Sequence, residues 1–169
     1  MKNLYCLLLC LFCTVAFAQE TTAELAQKVF AACLKQDENA FLEFCPTEKI
    51  VGEYFKASAP DMKVTPDMAQ KAAAYQKDRA LTGFRVFQEA AAFFAIDGAT
   101  VVPGTTENIE NDDELLEGDK KIGVARSTVV TLYLTSSEKK YAFVIPDAIQ
   151  HGGRYYLGNR PVMLHELEE

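Results

Sequence analysis

The sequence predicts an α+β fold: one domain in which N-terminal helices, one of them long, pack on an antiparallel sheet of about four strands. Two observations carry that expectation. From Thr21 to Phe94 the apolar residues recur at helical spacing, and after Asp97-Gly98 they alternate as in strands. Helices first and strands later place the helices over one face of an antiparallel sheet, rather than between parallel strands. A chain of 169 residues fits a single core, and no internal repeat divides it.

Residues 1–18 stand apart from that domain as an export signal. Lys2 gives a positive start, Leu4 to Phe17 is an uncharged run, and Ala16-Phe17-Ala18 closes it with the small-x-small pattern of a cleavage site. Cleavage after Ala18 is expected to leave a secreted or periplasmic domain over 19–169. A helix over the apolar run rises only about 21 Å against a hydrocarbon core of roughly 30 Å, so no membrane insertion is expected once the leader is gone. Cys6, Cys10 and Cys13 also lie in this run. A lipoprotein signal wants a small residue directly before its cysteine, whereas Leu9 precedes Cys10 and Phe12 precedes Cys13, so lipid anchoring is the weaker reading.

Of 17 basic residues the leader takes only Lys2, which leaves 16 against 24 acidic ones and a net charge of −8. Nucleic acids and anionic membrane surfaces both require basic patches, and this balance argues against them as partners. Cys33 and Cys45 are the cysteines that remain. In an oxidising compartment they are candidates for one disulfide. A strictly antiparallel helix pair would carry Cys45 past Cys33 by about a turn, roughly 6 Å, so the bridge requires the helices to splay and the pairing stays open. With no Cys-x-x-Cys spacing and no nearby histidine, these thiols are not expected to bind metal.

Thr21 and Glu24 form a capping box for the first helix, whose inward stripe is Leu25, Val29, Ala32 and Cys33. Asp37 caps a second, short helix carrying Phe41, Phe44 and Cys45, and Pro46 ends it. Thr47 opens a third, with Ile50, Val51, Tyr54 and Phe55 as its apolar positions. Thr65-Pro66 opens the long one. A helix from Pro66 to Phe94 would span about 43 Å, close to the diameter of the domain, so a bend near Thr82-Gly83 is expected. Met68, Ala72, Tyr75, Val86, Ala90 and Phe93 share the face expected to meet the core, with Arg79 in its middle.

Ala99 to Val102 predicts a short strand, Ile122 to Thr135 a long one, Lys139 to Ile145 its hairpin partner, and Arg154 to Gly158 a further strand after Gly152-Gly153. Ile122, Val124, Thr128, Val130, Leu132 and Leu134 alternate on one face of the long strand, and Arg126 falls among them. Residues 107–121 are expected to form an acidic loop: seven acids lie between Glu107 and Asp119. Calcium ligands are of this type, but no glycine at the sixth position from an acid comes with the Asp/Asn alternation of an EF-hand, so no metal site is expected. His151 reads as a polar turn residue beside its glycine pair, and His165 precedes a short acidic C-terminal tail.

The export signal, the short helix ending near Lys35-Gln36-Asp37 before Ala40-Phe41-Leu42, the long helix, and a meander closing on Gly153-Arg154-Tyr155-Tyr156-Leu157-Gly158 have a known counterpart. Together they resemble small exported bacterial proteins of the nuclear transport factor 2-like, or cystatin-like, α+β family. The closing strand there often reads Gly-Lys-Trp-Tyr, and here Arg154 and Tyr155 stand in place of Lys and Trp. The resemblance covers most of the mature chain. It implies a curved sheet wrapped around helices, a cone or roll with a cavity, that serves isomerases, dehydratases and many non-catalytic binding modules. No catalytic motif of those enzymes matches, so no catalytic residue is carried over and no cofactor is implied.

Arg79 and Arg126 each interrupt an apolar face, one on the long helix and one on the long strand. A buried guanidinium needs an anionic partner. Glu89 or Glu53 would supply it within the chain; a bound anion would supply it from outside, with Tyr54, Tyr75 and Tyr133 as candidate walls. There is neither a nucleophile elbow nor a phosphate-cradling loop. The expected function is therefore an exported non-catalytic module that binds a small ligand or a partner protein through a sheet–helix cavity or the sheet face. The alternatives are a small cofactor-independent isomerase or dehydratase, and a structural component of the cell envelope. The oligomeric state is open, with a dimer compatible.

Overall fold

The computed structural model describes residues 20–96, 98–117 and 119–168, so the segment expected to be an export signal, 1–18, lies outside the described residues. The helices come first: α1 (Thr22–Leu34), α2 (Glu38–Leu42), α3 (Glu48–Ser58) and α4 (Pro66–Phe94). The strands β1 (Thr100–Glu117), β2 (Lys120–Ser136), β3 (Lys139–His151), β4 (Arg154–Leu157) and β5 (Met163–Leu167) follow. The fold is α+β, with the helices packed on a curled antiparallel sheet that forms a half-barrel. β1 pairs with β2 and β2 with β3, while β4 and β5 lie end to end along the other edge of β3. Among the described residues no helix is long and apolar enough to cross a membrane.

Local chemistry starts each helix where the sequence signals it. The Thr21 hydroxyl accepts from the Glu24 N–H at 3.2 Å while the Glu24 carboxylate accepts from the Thr21 N–H at 2.9 Å. Side chains of Asp37, Thr47 and Thr65 cap the next three helices in the same sense. Leu25, Val29, Phe30 and Cys33 then point from α1 into the core, where they meet Val130, Leu132 and Leu134 of β2 and Phe143 and Ile145 of β3. Phe30, Phe87 and Phe143 tie α1, α4 and β3 together, with ring centroids 5.4 to 6.0 Å apart. Two of those three contacts are nearly perpendicular, the edge-to-face geometry that aromatic quadrupoles favour.

Three expectations are corrected. The face of α4 that meets the core is made of Ala69, Ala73, Ala80, Gly83, Phe84, Phe87 and Ala91, and Met68, Tyr75, Val86 and Phe93 stay exposed. α4 is apolar around most of its circumference, and its small residues decide the outcome because they let neighbours approach. A Cβ on Gly83 would lie 2.7 Å from the Val162 backbone nitrogen. The helix is continuous from Pro66 to Phe94, through Thr82-Gly83.

The acidic segment over 107–121 is not a loop: most of it is β1, paired with β2 from Glu107↔Thr131 to Glu117↔Lys120. Backbone pairing makes no demand for alternation, and carboxylates on an edge strand discourage pairing with another chain. Several find cations, Asp112 with Arg126, Asp113 with Arg160 and Glu114 with Lys121. The start of the acidic tail likewise joins an additional strand, β5, in which Leu164 pairs with Phe143, His165 with Ala142 and Glu166 with Tyr141.

Cys33 and Cys45 are free thiols, not a disulfide. Cys33 points from α1 into the core, whereas Cys45 lies in the turn after α2 beside a groove shared with Lys77. Burial pushes the Cys33 thiol far above its ordinary range. It pushes Cys45 up to about 11, with the Lys77 charge opposing the shift.

Candidate functional site

The candidate site forms where the sheet outruns its helices. β3 stops pairing with β2 at Thr128, and from there β1 and β2 continue as a two-stranded ribbon. The ribbon passes over the C-terminal end of α3, and Gly123 is what permits this. A Cβ there would fall 2.7 Å from Ala59 Cα and closer still to the Ser58 carbonyl oxygen. On the opposite side, β3 bends where Pro146 and Asp147 sit in an irregularity of its register with β2. Asp147 then fixes the chain after β4, since its backbone oxygen accepts from Gly158 N–H at 2.6 Å and its carboxylate from Asn159 N–H at 2.8 Å.

Between these walls lies a cleft of about 590 Å³. α3 contributes Tyr54 and Ser58, and the ribbon contributes Glu110, Asp112, Arg126 and Thr128. The end of β3 adds Gln150 and His151, and β4 adds Tyr155. Tyr54 spans the cleft as a strut, its hydroxyl donating to the Arg126 backbone oxygen at 2.8 Å. Burial raises the proton affinity of that phenol, and the Asp147 carboxylate pushes in the same direction. The Arg126 guanidinium is 82% exposed, with Nε 3.5 Å from Asp112 Oδ1 across the β1–β2 register. At the rim, His151 Nε2 lies 2.7 Å from Glu53 Oε2.

Of the residues singled out in the sequence, the structure brings Tyr54 and Arg126 together and leaves the others elsewhere. Arg126 sits where β2 has left the core, so it does not oppose Arg79 across a closed interior. Arg79 and Tyr75 are on α4, Tyr75 being 57% exposed, and neither lines the cleft. Tyr133 lies on the alternate face of β2 from Leu132 and Leu134, where its hydroxyl donates to Glu107 Oε2 at 2.8 Å. That bond raises the Tyr133 pKa. Glu53, Ser58, Gln150, His151 and Tyr155 are the site residues that sequence reasoning does not assemble. Only the Gly152-Gly153 pair after His151 hints at them, because a tight turn there places His151 at the end of a strand.

The cleft offers hydroxyl, amide and guanidinium donors beside carboxylate acceptors, which suits reversible hydrogen bonding to a polar molecule. Among the described residues no group of three or more His, Cys, Asp or Glu side chains is placed to hold a metal ion. A second groove of about 610 Å³ runs between Cys45, Lys49 and Lys77, without a comparable convergence of polar groups from helix and sheet. No family model matches the chain, and neither a curated protein nor a solved structure matches it.

Proposed function

We propose that the protein is an exported, non-catalytic module that holds a small polar ligand in the cleft between α3 and the β1–β2 ribbon. Convergence carries this reading: five separate elements direct donors and acceptors into one space of about 590 Å³, a volume suited to a small molecule. Arg126 and Asp112, adjacent and largely exposed, give the site charges of both signs. A ligand rich in both donors and acceptors, such as a saccharide or a short peptide, fits that wall.

Thermal-shift titration with panels of saccharides and short peptides tests the reading, together with native mass spectrometry of protein recovered from its own compartment. A ligand present at a hundred times its Kd stabilises by about 2.7 kcal/mol, and Arg126→Ala or Thr128→Val should weaken the effect. The absence of any retained or stabilising molecule, or binding indifferent to both substitutions, would sink it.

The small isomerase or dehydratase is a second reading, favoured by the Glu53–His151 contact at the cleft rim. A histidine with a carboxylate against one ring nitrogen is a common arrangement for a general base. It predicts that Glu53→Gln and His151→Gln abolish turnover of a bound carbonyl or hydroxyl compound while leaving binding in place. Turnover that survives both substitutions, or none in the wild type, rejects it.

A further inference from the structure

The stripe of α4 left outside the core has a regular spacing. Met68, Ala72, Tyr75, Arg79, Thr82, Val86, Glu89 and Phe93 recur at alternating intervals of four and three residues, the seam of a two-helix coiled coil. Its large members are open to solvent: Met68 is 38% exposed, Tyr75 57%, Val86 49% and Phe93 83%. Exposed apolar surface ordered along one helix is costly unless something covers it. Arg79, at the midpoint of the seam, has a buried Nε with no hydrogen-bond partner among the described residues.

We propose that a second copy of this chain covers the seam, with the two α4 helices antiparallel about a two-fold axis near Arg79 and Thr82. In that register Met68 meets Phe93 of the second copy, Tyr75 meets its Val86, and Arg79 meets its Thr82, each contact occurring twice. The Thr82 hydroxyl, which donates to the Asp78 backbone oxygen within its own helix, keeps lone pairs free to accept from the outer N–H groups of the second copy's Arg79 guanidinium.

Charge complementarity selects this arrangement. On the outer flank of the seam, Asp78 faces Arg85 of the second copy and Arg85 faces its Asp78. Glu89 falls level with Lys71 and Ala72 of the second copy. A parallel pair in register would instead set Arg79 against Arg79 in the seam, which like-charge repulsion disfavours. An isologous pair of this kind closes on itself and leaves no free seam to propagate.

Sedimentation equilibrium of the purified protein up to about 100 μM tests the proposal, and it should show a dimer. Val86→Glu should weaken the dimer at least about tenfold. Asp78→Arg or Arg85→Asp should each weaken it by about threefold to tenfold, and the double exchange D78R/R85D should restore it. All three positions are on the solvent side of α4, and far-UV circular dichroism checks that each variant is folded. In Met68→Cys/Phe93→Cys protein, oxidation should link two chains, since within one helix these positions lie about 38 Å apart. A monomer throughout that concentration range overturns the proposal. So does a dimer that ignores Val86→Glu and the charge exchange, because another face then forms it. A dimer that responds to both but never cross-links between 68 and 93 overturns the register.

Discussion

Glu53 Oε2 and His151 Nε2 lie 2.7 Å apart although 98 residues separate them in the chain. α3 brings the carboxylate, on the turn before Tyr54, and β3 brings the imidazole, on its last residue before the Gly152-Gly153 turn. Both glycines there have positive φ, 58° and 78°, the geometry of the tight turn that returns the chain as β4. The contact therefore joins the last helix before α4 to the far end of the sheet, and it closes one side of the cleft.

That junction should register as a modest coupling. Both side chains are partly solvated, so a double-mutant cycle with Glu53→Ala and His151→Ala should give an interaction energy of about 0.5–1 kcal/mol by urea denaturation. Additive effects of the two substitutions would show that the pair contributes nothing to holding the cleft.

Gly123 should be far less tolerant. An added methyl group there has no space, because the Ser58 carbonyl oxygen and Ala59 Cα already occupy it. The obstacle is backbone, which cannot rotate away as a side chain can. Gly123→Ala should cost about 2–3 kcal/mol, read as a drop in Tm by calorimetry, and should weaken ligand binding in the cleft as the ribbon lifts from α3. A variant with wild-type Tm would mean that the ribbon does not rest on α3 in solution.

What could be read from the sequence was the chemistry that acts locally. Thr21, Asp37, Thr47 and Thr65 cap helices because a hydroxyl or carboxylate a few residues from free N–H groups needs no distant partner. Val130, Leu132 and Leu134 alternate because this face of β2 is buried from Val130 onward. The acidic residues of β1 carry no such pattern, since much of this strand is solvated and only its backbone pairing with β2 makes it a strand. On α4, alanines around the circumference leave the inward face undetermined until Phe84 and Phe87 find Phe41 and Phe143 across the core. The site divides in the same way. Tyr54 and Arg126 could be named as candidates from their neighbours in sequence, whereas the approach of Glu53 to His151 depends on how α3 docks against a folded sheet.

The two thiols should be distinguishable by reactivity. Raising a thiol from 9.0 to about 11 lowers its thiolate fraction about a hundredfold, so Cys45 should alkylate near pH 8 that much more slowly than an exposed cysteine. Cys33, fully enclosed between α1 and the sheet, should react only on unfolding. Mass spectrometry of iodoacetamide-treated protein would read both rates. Recovery of a Cys33–Cys45 disulfide from protein purified from its native source would contradict the two free thiols.

Glu20 supplies a pH-dependent clasp at the start of α1. Its side chain is only 8% exposed, with Oε1 2.7 Å from Lys28 Nζ and Oε2 accepting from the Tyr155 N–H at 3.2 Å. Its own N–H donates to the Gly153 oxygen at 3.1 Å, so the residue is fastened to the β3–β4 turn through both backbone and side chain. Burial acts to raise its pKa, but Lys28 and the Tyr155 N–H outweigh burial and hold the carboxyl below its ordinary 4.5. A carboxyl whose pKa is lowered by folding stabilises the protein above its unfolded pKa, and that contribution is lost as the pH falls through the folded value. Glu20→Gln should therefore be less stable than wild type by about 1–2 kcal/mol near neutral pH. The difference should shrink as the pH drops below 4.5, where the wild-type carboxyl begins to take up its proton. Urea denaturation of both proteins across that range measures it, and a gap that stayed constant would mean that Glu20 holds the turn without its charge.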